Sequence, residues 1–247
     1  MKIGLIGAIK EEILMLKDKI HGLKATQIGS RDFYSGTIDG HEVVVCTSGW
    51  GKVAVASTAT SLINLFQVDH LLFIGLAGSM QGHLKIGDII VADKLIQHDV
   101  CLSGLADAQV ALPSRKTFEF EVRPEGWQRA LSAGTQFILN LEDGEYPAIS
   151  TGYHPAIYVG AIATGDQFVD TTEGRKQISE RFPQVLCVEM EGAAIAQVAA
   201  DYGISCSVIR IISDQADEYA HENFTAFLFR NISQISVEIA RLMFVSA

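Results

Sequence analysis

Acidic residues at the ends of apolar runs are the part of this chain best suited to chemistry. The segment VIRIISDQAD carries a β-prone run straight into Ser213 and Asp214, and VLCVEMEGAAIAQVA carries a shorter one through Glu189 to Glu191 and an Ala-rich helical stretch. A strand that ends in a carboxylate is how an α/β sheet presents charge to a ligand crevice. Walls such as VIRII disfavour the ionised form of a carboxyl, so its pKa rises and it becomes able to donate a proton near neutral pH. Asp214 is therefore the first candidate catalyst. Glu12 follows the opening run KIGLIGA at the start of a helical pattern. Taken alone it reads as a solvated first-turn acid favoured by the helix dipole. By the same plain reading Phe168 is a core aromatic, Arg210 a structural ion-pair partner and Glu189 either a structural acid or a support for the site residues beside it.

These acids need strands to carry them, and the pattern supplies strands. With 247 residues and 48% hydrophobic content the chain can bury a large core, and it reads as one domain spanning 1–247. KIGLIGA, HLLFIGLAGS, GDIIVADKLI, YVGAIATGDQFVD, VLCVEM and CSVIRIIS read as strands, and RDFYSGTIDGHEVVVCTSG as a hairpin turning at Asp39-Gly40. Helical spacing predicts helices at about 11–20, along KVAVASTATSLINLF, within 123–141 behind Pro124, and at about 172–182, 191–202 and 224–244. This alternation predicts an α/β fold, a mixed and largely parallel twisted sheet with helices on both faces.

Composition narrows the partner. A net charge of -10 with only nineteen Lys and Arg argues against a nucleic-acid or anionic-membrane surface and leaves a small molecule. The cysteines at 46, 101, 187 and 206 form no CxxC pair and read as buried free thiols, which suits a reducing cytoplasm. No apolar run approaches the roughly 18–20 residues of a membrane span, and MKIGLIGAIKEE reaches charge too early for a signal peptide. GLIGA, SGWGK and GLAGS lack the full phosphate-loop and dinucleotide patterns, so neither a metal nor an organic cofactor is expected. Their glycines read instead as turns at the ligand end of the sheet.

IGAIKEE, SGWGKV, LAGS with LKIGDIIVAD, and TGDQF with VEMEGAAIA and RIISDQAD occur in an order that resembles the 5′-methylthioadenosine/S-adenosylhomocysteine nucleosidases of the purine nucleoside phosphorylase superfamily. The resemblance covers nearly the whole chain except about 114–158. It implies a nucleoside phosphorylase-like fold and hydrolysis of adenine N-ribosidic bonds. In that family's terms Asp214 is the general acid at purine N7, oriented by Ser213; Glu191 binds the ribose hydroxyls with Met190 beneath the sugar; and Glu12 activates the water. Phe168 stacks on adenine, the Val169 backbone reads its edge, and Ala8, Ala77, Gly78 and Arg210 complete the base and sugar pocket. Phe224 and Trp50 lie at the 5′ substituent, together with Leu105 and Pro113 from a second subunit, which implies a homodimer. His98-Asp99 is given no role beyond supporting that interface.

Two departures bear on the substrate. Phosphorylases of the superfamily carry Arg and Ser for phosphate where this chain has Phe73 and Leu76, and an apolar pair cannot compensate a dianion, so water is the expected nucleophile. Trp50 replaces the smaller aliphatic residue usual before GK in the nucleosidases, and TGDQFV resembles relatives that hydrolyse 6-amino-6-deoxyfutalosine in a menaquinone route. A nucleoside phosphorylase would need the missing cations, and a non-catalytic nucleoside-binding protein would have no use for both Glu12 and Asp214.

Overall fold

A computed structural model of the chain describes residues 1–100, 118–142, 154–228 and 232–245, in which ten strands form one mixed sheet flanked by seven helices. In chain order the strands are β1 (Ile3–Gly7), β2 (His21–Ile28), β3 (Arg31–Ile38), β4 (His41–Thr47), β5 (His70–Ser79), β6 (Ile89–Gln97), β7 (Glu119–Glu121), β8 (Ile157–Thr164), β9 (Val185–Glu189) and β10 (Ser205–Asp214). The helices are α1 (Lys10–Lys17), α2 (Lys52–Phe66), α3 (Pro124–Glu142), α4 (Thr172–Arg181), α5 (Gly192–Tyr202), α6 (Ala220–Leu228) and α7 (Ile232–Val245).

Every residue of β5 is buried, because successive side chains of a central strand feed opposite faces and both faces are covered. Leu71 and Phe73 join a core with Val55 and Leu62 of α2 and Ile195 of α5. Leu72 and Ile74 join a second core with Leu16 of α1, Phe137 of α3 and Met243 of α7. A strand sandwiched this way has no polar face to show, and HLLFIGLAGS reads as the uninterrupted apolar run that results.

The sheet closes on itself, which the one-dimensional pattern does not reveal. β5 pairs with β10, β10 with β6, β6 with β8, β8 with β9, and β9 returns to the far end of β5 at Gly78 and Ser79. From the near half of β5 a wing extends through β1, β4, β3 and β2. The β3–β4 hairpin turns at Asp39 and Gly40, both at positive φ (50° and 84°), as the sequence predicts.

Three details differ from expectation. The C-terminal helix expected over 224–244 is two helices, and the first starts four residues earlier, behind Asp217, whose carboxylate accepts from the Tyr219 N–H at 3.0 Å. β2 is an edge strand exposed along nearly its whole length, so it lacks the alternating apolar pattern that marks a strand. β7 is three residues long and pairs with β6 alone. Cys46, Cys187 and Cys206 are buried free thiols as expected, whereas Cys101 lies outside the described residues. Among those residues, no helix is long and apolar enough to cross a membrane.

Candidate active site

The site is built where β5 changes neighbours. β1 pairs with β5 only as far as Phe73, and β9 takes up pairing only at Gly78. Across this interval Glu12 Oε1 accepts from the Leu76 N–H at 3.3 Å, a backbone donor that strand pairing leaves to a side chain. The other oxygen, Oε2, accepts from the N–H groups of Ala8 at 2.5 Å and Ile9 at 3.2 Å, at the turn into α1. Glu12 is thus buried at 4% exposure, which corrects its reading as a solvated first-turn acid. Burial raises its pKa against the opposing pull of Arg210 and the three N–H groups.

Arg210, from the middle of β10, is 1% exposed and stacks with its guanidinium carbon 3.9 Å from the Phe73 ring centroid. Gly75 makes room for it: a Cβ there would overlap Arg210 Nη1 and lie 2.6 Å from Glu12 Oε1. Nη2 of Arg210 donates to Glu189 Oε2 and, at 3.5 Å, to Glu191 Oε2. Burial opposes the charge on Arg210, but Glu189, Glu191 and Glu12 outweigh it and hold the pKa above its ordinary value.

Glu189 and Glu191 divide the work at the end of β9. Glu189 accepts from the Thr164 hydroxyl and from the N–H groups of Glu191 (3.0 Å) and Gly192 (2.8 Å), so it fastens the first turn of α5 to β8 and Arg210. Glu189 also lines the cavity of the site. Glu191 accepts from the Gly51 N–H at 2.8 Å. Burial first, then repulsion from Glu189, pushes its pKa up to about 8 against the attraction of Arg210.

Asp214 stands apart from this cluster. Its Oδ2 accepts from Ser213 Oγ at 2.7 Å and its Oδ1 from the Ala216 N–H at 2.9 Å, and its exposure is 2%. Burial raises its pKa, with those two hydrogen bonds opposing. The environment therefore favours a carboxyl that holds a proton at one end of a site whose other end carries three carboxyl groups around one guanidinium.

Both ends open into one cavity of about 490 Å³, and every candidate residue that falls among the described ones lines it. Glu12, Glu189, Glu191, Arg210, Ser213 and Asp214 are among its polar lining residues, and Ala8, Ala77 and Gly78 keep it open. Phe168, Val169, Met190 and Phe224 form apolar walls, with the Phe168 and Phe224 rings edge to face at 5.8 Å. Phe168 is 43% exposed, so it is no core aromatic. Trp50 also lines the cavity and is 66% exposed, which excludes a packing role in the interior. Leu105 and Pro113 lie outside the described residues. His98 and Asp99 face a second groove of about 930 Å³ along α4, which shares Gln167, Phe168 and Val169 with the cavity. The sequence reading missed Ile9, Gln167, Val188, His221, Thr225 and Leu228 as lining residues. His221, Phe224, Thr225 and Leu228 recur at the i, i+3, i+4, i+7 spacing of one helix face, a signal that was present in the sequence.

A family model described as the phosphorylase superfamily matches residues 2–245. A 5′-methylthioadenosine/S-adenosylhomocysteine nucleosidase from Neisseria meningitidis, in complex with methylthio-immucillin-A, is 30% identical with a TM-score of 0.87, covering 100% of this chain and 99% of its own. The corresponding nucleosidase from Colwellia psychrerythraea 34H, in complex with adenine, is 32% identical with a TM-score of 0.85, covering 100% and 95%. A futalosine hydrolase of Helicobacter pylori strain 26695 is 34% identical with a TM-score of 0.82, covering 100% and 98%.

Proposed function

This chain belongs to the phosphorylase superfamily, and within it we propose that the protein hydrolyses the N-ribosidic bond of 5′-substituted adenosines and releases adenine. The observation that carries the reading is the separation of the acids in one apolar-walled cavity: Asp214, shielded and held by Ser213, at one end, and Glu12, Glu191 and Arg210 at the other. Purine and sugar need opposite treatment at the transition state, since the base gains electrons while the ribose becomes oxocarbenium-like.

Water attacks C1′ as the C1′–N9 bond breaks, and the bonding pair goes to the purine. Asp214 delivers a proton to N7, so that neutral adenine leaves. Glu12 takes the proton of the water; the raised pKa that burial gives it makes its carboxylate a stronger base than an exposed one. Glu191 accepts hydrogen bonds from the ribose hydroxyls, with Met190 below the ring, and the carboxylates facing C1′ stabilise its developing positive charge. Phe168 offers a face for adenine to stack on, and the Val169 backbone reads the edge of the base. Phe73 lies beneath Arg210 and Leu76 lines the cavity, which favours water over a phosphate dianion as nucleophile.

The substrates that suit this cavity are 5′-methylthioadenosine, S-adenosylhomocysteine and 5′-deoxyadenosine, as in methionine salvage. A second reading, 6-amino-6-deoxyfutalosine hydrolysis in menaquinone biosynthesis, is favoured by the exposed indole of Trp50 on the cavity wall and by the likeness to a futalosine hydrolase. We further propose a homodimer in the cytoplasm, in which Leu105 and Pro113 of a second copy complete the 5′ pocket. Adenine release from 5′-methylthioadenosine in phosphate-free buffer containing chelator tests the reaction. Release at full rate is expected, and strict dependence on phosphate would overturn it.

A further inference from the structure

Three segments that share no secondary-structure element meet beside the cavity in a closed circuit of polar contacts. The Lys52 N–H at the start of α2 donates to Asp166 Oδ1 at 2.8 Å. The Asp166 N–H, in the loop after β8, donates to Asp99 Oδ2 at 2.9 Å. The Lys52 Nζ returns to Asp99 Oδ1, beyond the end of β6, at 2.6 Å, and reaches Gln97 Oε1 at 3.4 Å. Each residue both gives and receives within the circuit or holds two members of it at once. The geometry is also exclusive, since a Cβ on Gly51 would lie 2.9 Å from Asp166 Oδ1.

None of the three residues lines the cavity, yet Lys52 and Asp166 are each one or two positions from a residue that does, and Asp99 joins the two. Gly51, next to Lys52, donates to Glu191 Oε1 at 2.8 Å, and Trp50 precedes it. Asp166 is followed by Gln167, Phe168 and Val169, all of them cavity residues. The circuit therefore ties the wall that would hold adenine to the backbone donor that orients the acid that would hold ribose. Lys52 and Asp99 are partly exposed, with side chains at 17% and 25%, and an isolated pair in such a setting contributes little to stability. The closed arrangement has more value as a spacer than as a staple.

We propose that Asp166, with Lys52 and Asp99, is a positioning residue that fixes the distance between the base-binding and ribose-binding walls. The proposal rests on the nucleosidase reading above. It predicts that loosening the circuit weakens binding of the whole nucleoside more than the chemical step, because Asp214 and Glu12 are anchored elsewhere.

Asp166→Ala should raise KM for 5′-methylthioadenosine about tenfold or more while kcat falls less than about threefold, as expected when ground-state binding is lost. Asp166→Asn keeps an oxygen to accept from the Lys52 N–H and should return KM to within about threefold of the wild type. Lys52→Met leaves the backbone contact in place, breaks the return to Asp99, and should give an intermediate rise in KM. It also decides the matter should Asp166→Ala fail to fold. Unchanged KM in Asp166→Ala or, where that variant does not fold, in Lys52→Met would overturn the proposal. So would an Asp166→Asn as impaired as Asp166→Ala, or a loss confined to kcat. Wild-type protein that releases no adenine would instead defeat the nucleosidase reading itself.

Discussion

Strands β5 and β10 lie side by side from His70 and Ser205 at one end to Gly78 and Asp214 at the other, and the two ends bury ionisable groups in opposite ways. At the first end His70 is 2% exposed, with Nδ1 2.5 Å from Ser205 Oγ and Nε2 3.0 Å from Ser207 Oγ. Ser207 gives its own hydrogen to the Gly126 carbonyl at 2.7 Å, so Nε2 is the nitrogen that carries the proton and Nδ1 accepts from Ser205. Burial, with some help from Arg129, pushes the His70 pKa down to about 4. Nothing remains for a ligand to satisfy. At the second end the carboxyl groups keep unused acceptor capacity and face open space. Burial by itself therefore does not mark a functional group; burial with spare bonding capacity toward a cavity does.

The strongest way to break this contrast is at the cavity end. Asp214→Asn and Glu12→Gln should each lower kcat for adenine release by about 10²-fold or more, the usual scale for a proton-transfer group. Circular dichroism should show both variants folded. A near-wild-type rate in either would take the chemistry away from that residue.

Specificity comes next in size. An indole offers a ring-bearing 5′ substituent about 0.5–1.5 kcal/mol of stacking beyond area burial. Trp50→Ile should therefore lower kcat/KM on 6-amino-6-deoxyfutalosine roughly three- to tenfold more than on 5′-methylthioadenosine. Equal losses on both substrates would remove the case for the larger one.

At the other end of the strands the expected effect on rate is nil. His70→Asn should leave kcat unchanged and lower the melting temperature by several degrees, since a disrupted buried hydrogen-bond pair costs about 1–3 kcal/mol. Loss of activity in a variant that stays folded would mean that the two ends are coupled.

The pH dependence of stability should separate the ends by sign. The folded pKa of His70 is depressed from 6.5 to about 4, so its contribution is full above pH 6.5 and is lost as pH falls toward 4. That of Glu191 is raised from 4.5 to about 8, so its contribution is full below pH 4.5 and is lost as pH rises toward 8. Melting temperatures measured from pH 4 to 9 should flatten on the alkaline side in Glu191→Gln and on the acid side in His70→Asn. The opposite assignment would invert the contrast.

The strands that build this contrast are legible in the sequence because their residues are buried on both faces, as HLLFIGLAGS and CSVIRIIS show. β2 is not legible, since an edge strand exposed at almost every position has no reason to carry a pattern. Closure of the sheet is not legible either, because β10 reaches β5 across more than a hundred residues and nothing local in either strand specifies the partner. Glu12 shows the same limit in a side chain: the sequence places it in a first helical turn, and only the missing strand neighbour of Leu76 turns it inward. Asp214 and Glu191 are legible by contrast, since strand ends fix where their carboxylates point. The circuit of Lys52, Asp99 and Asp166 joins positions far apart in sequence, each unremarkable alone.

β10 sits between β5 and β6, two strands that precede it by more than a hundred residues. Arg210, Ser213 and Asp214 therefore reach the site with the strand that closes the sheet. Pairings of such long sequence separation form slowly, because the loop entropy is lost before the contacts form. A chain emerging from the ribosome presents the β5 edge, apolar along its length, until β10 has been made more than a hundred residues later. Completion of the fold and arrival of Asp214 at the cavity are consequently one kinetic event, so any population of chains that has folded without β10 lacks that part of the site and is prone to aggregate.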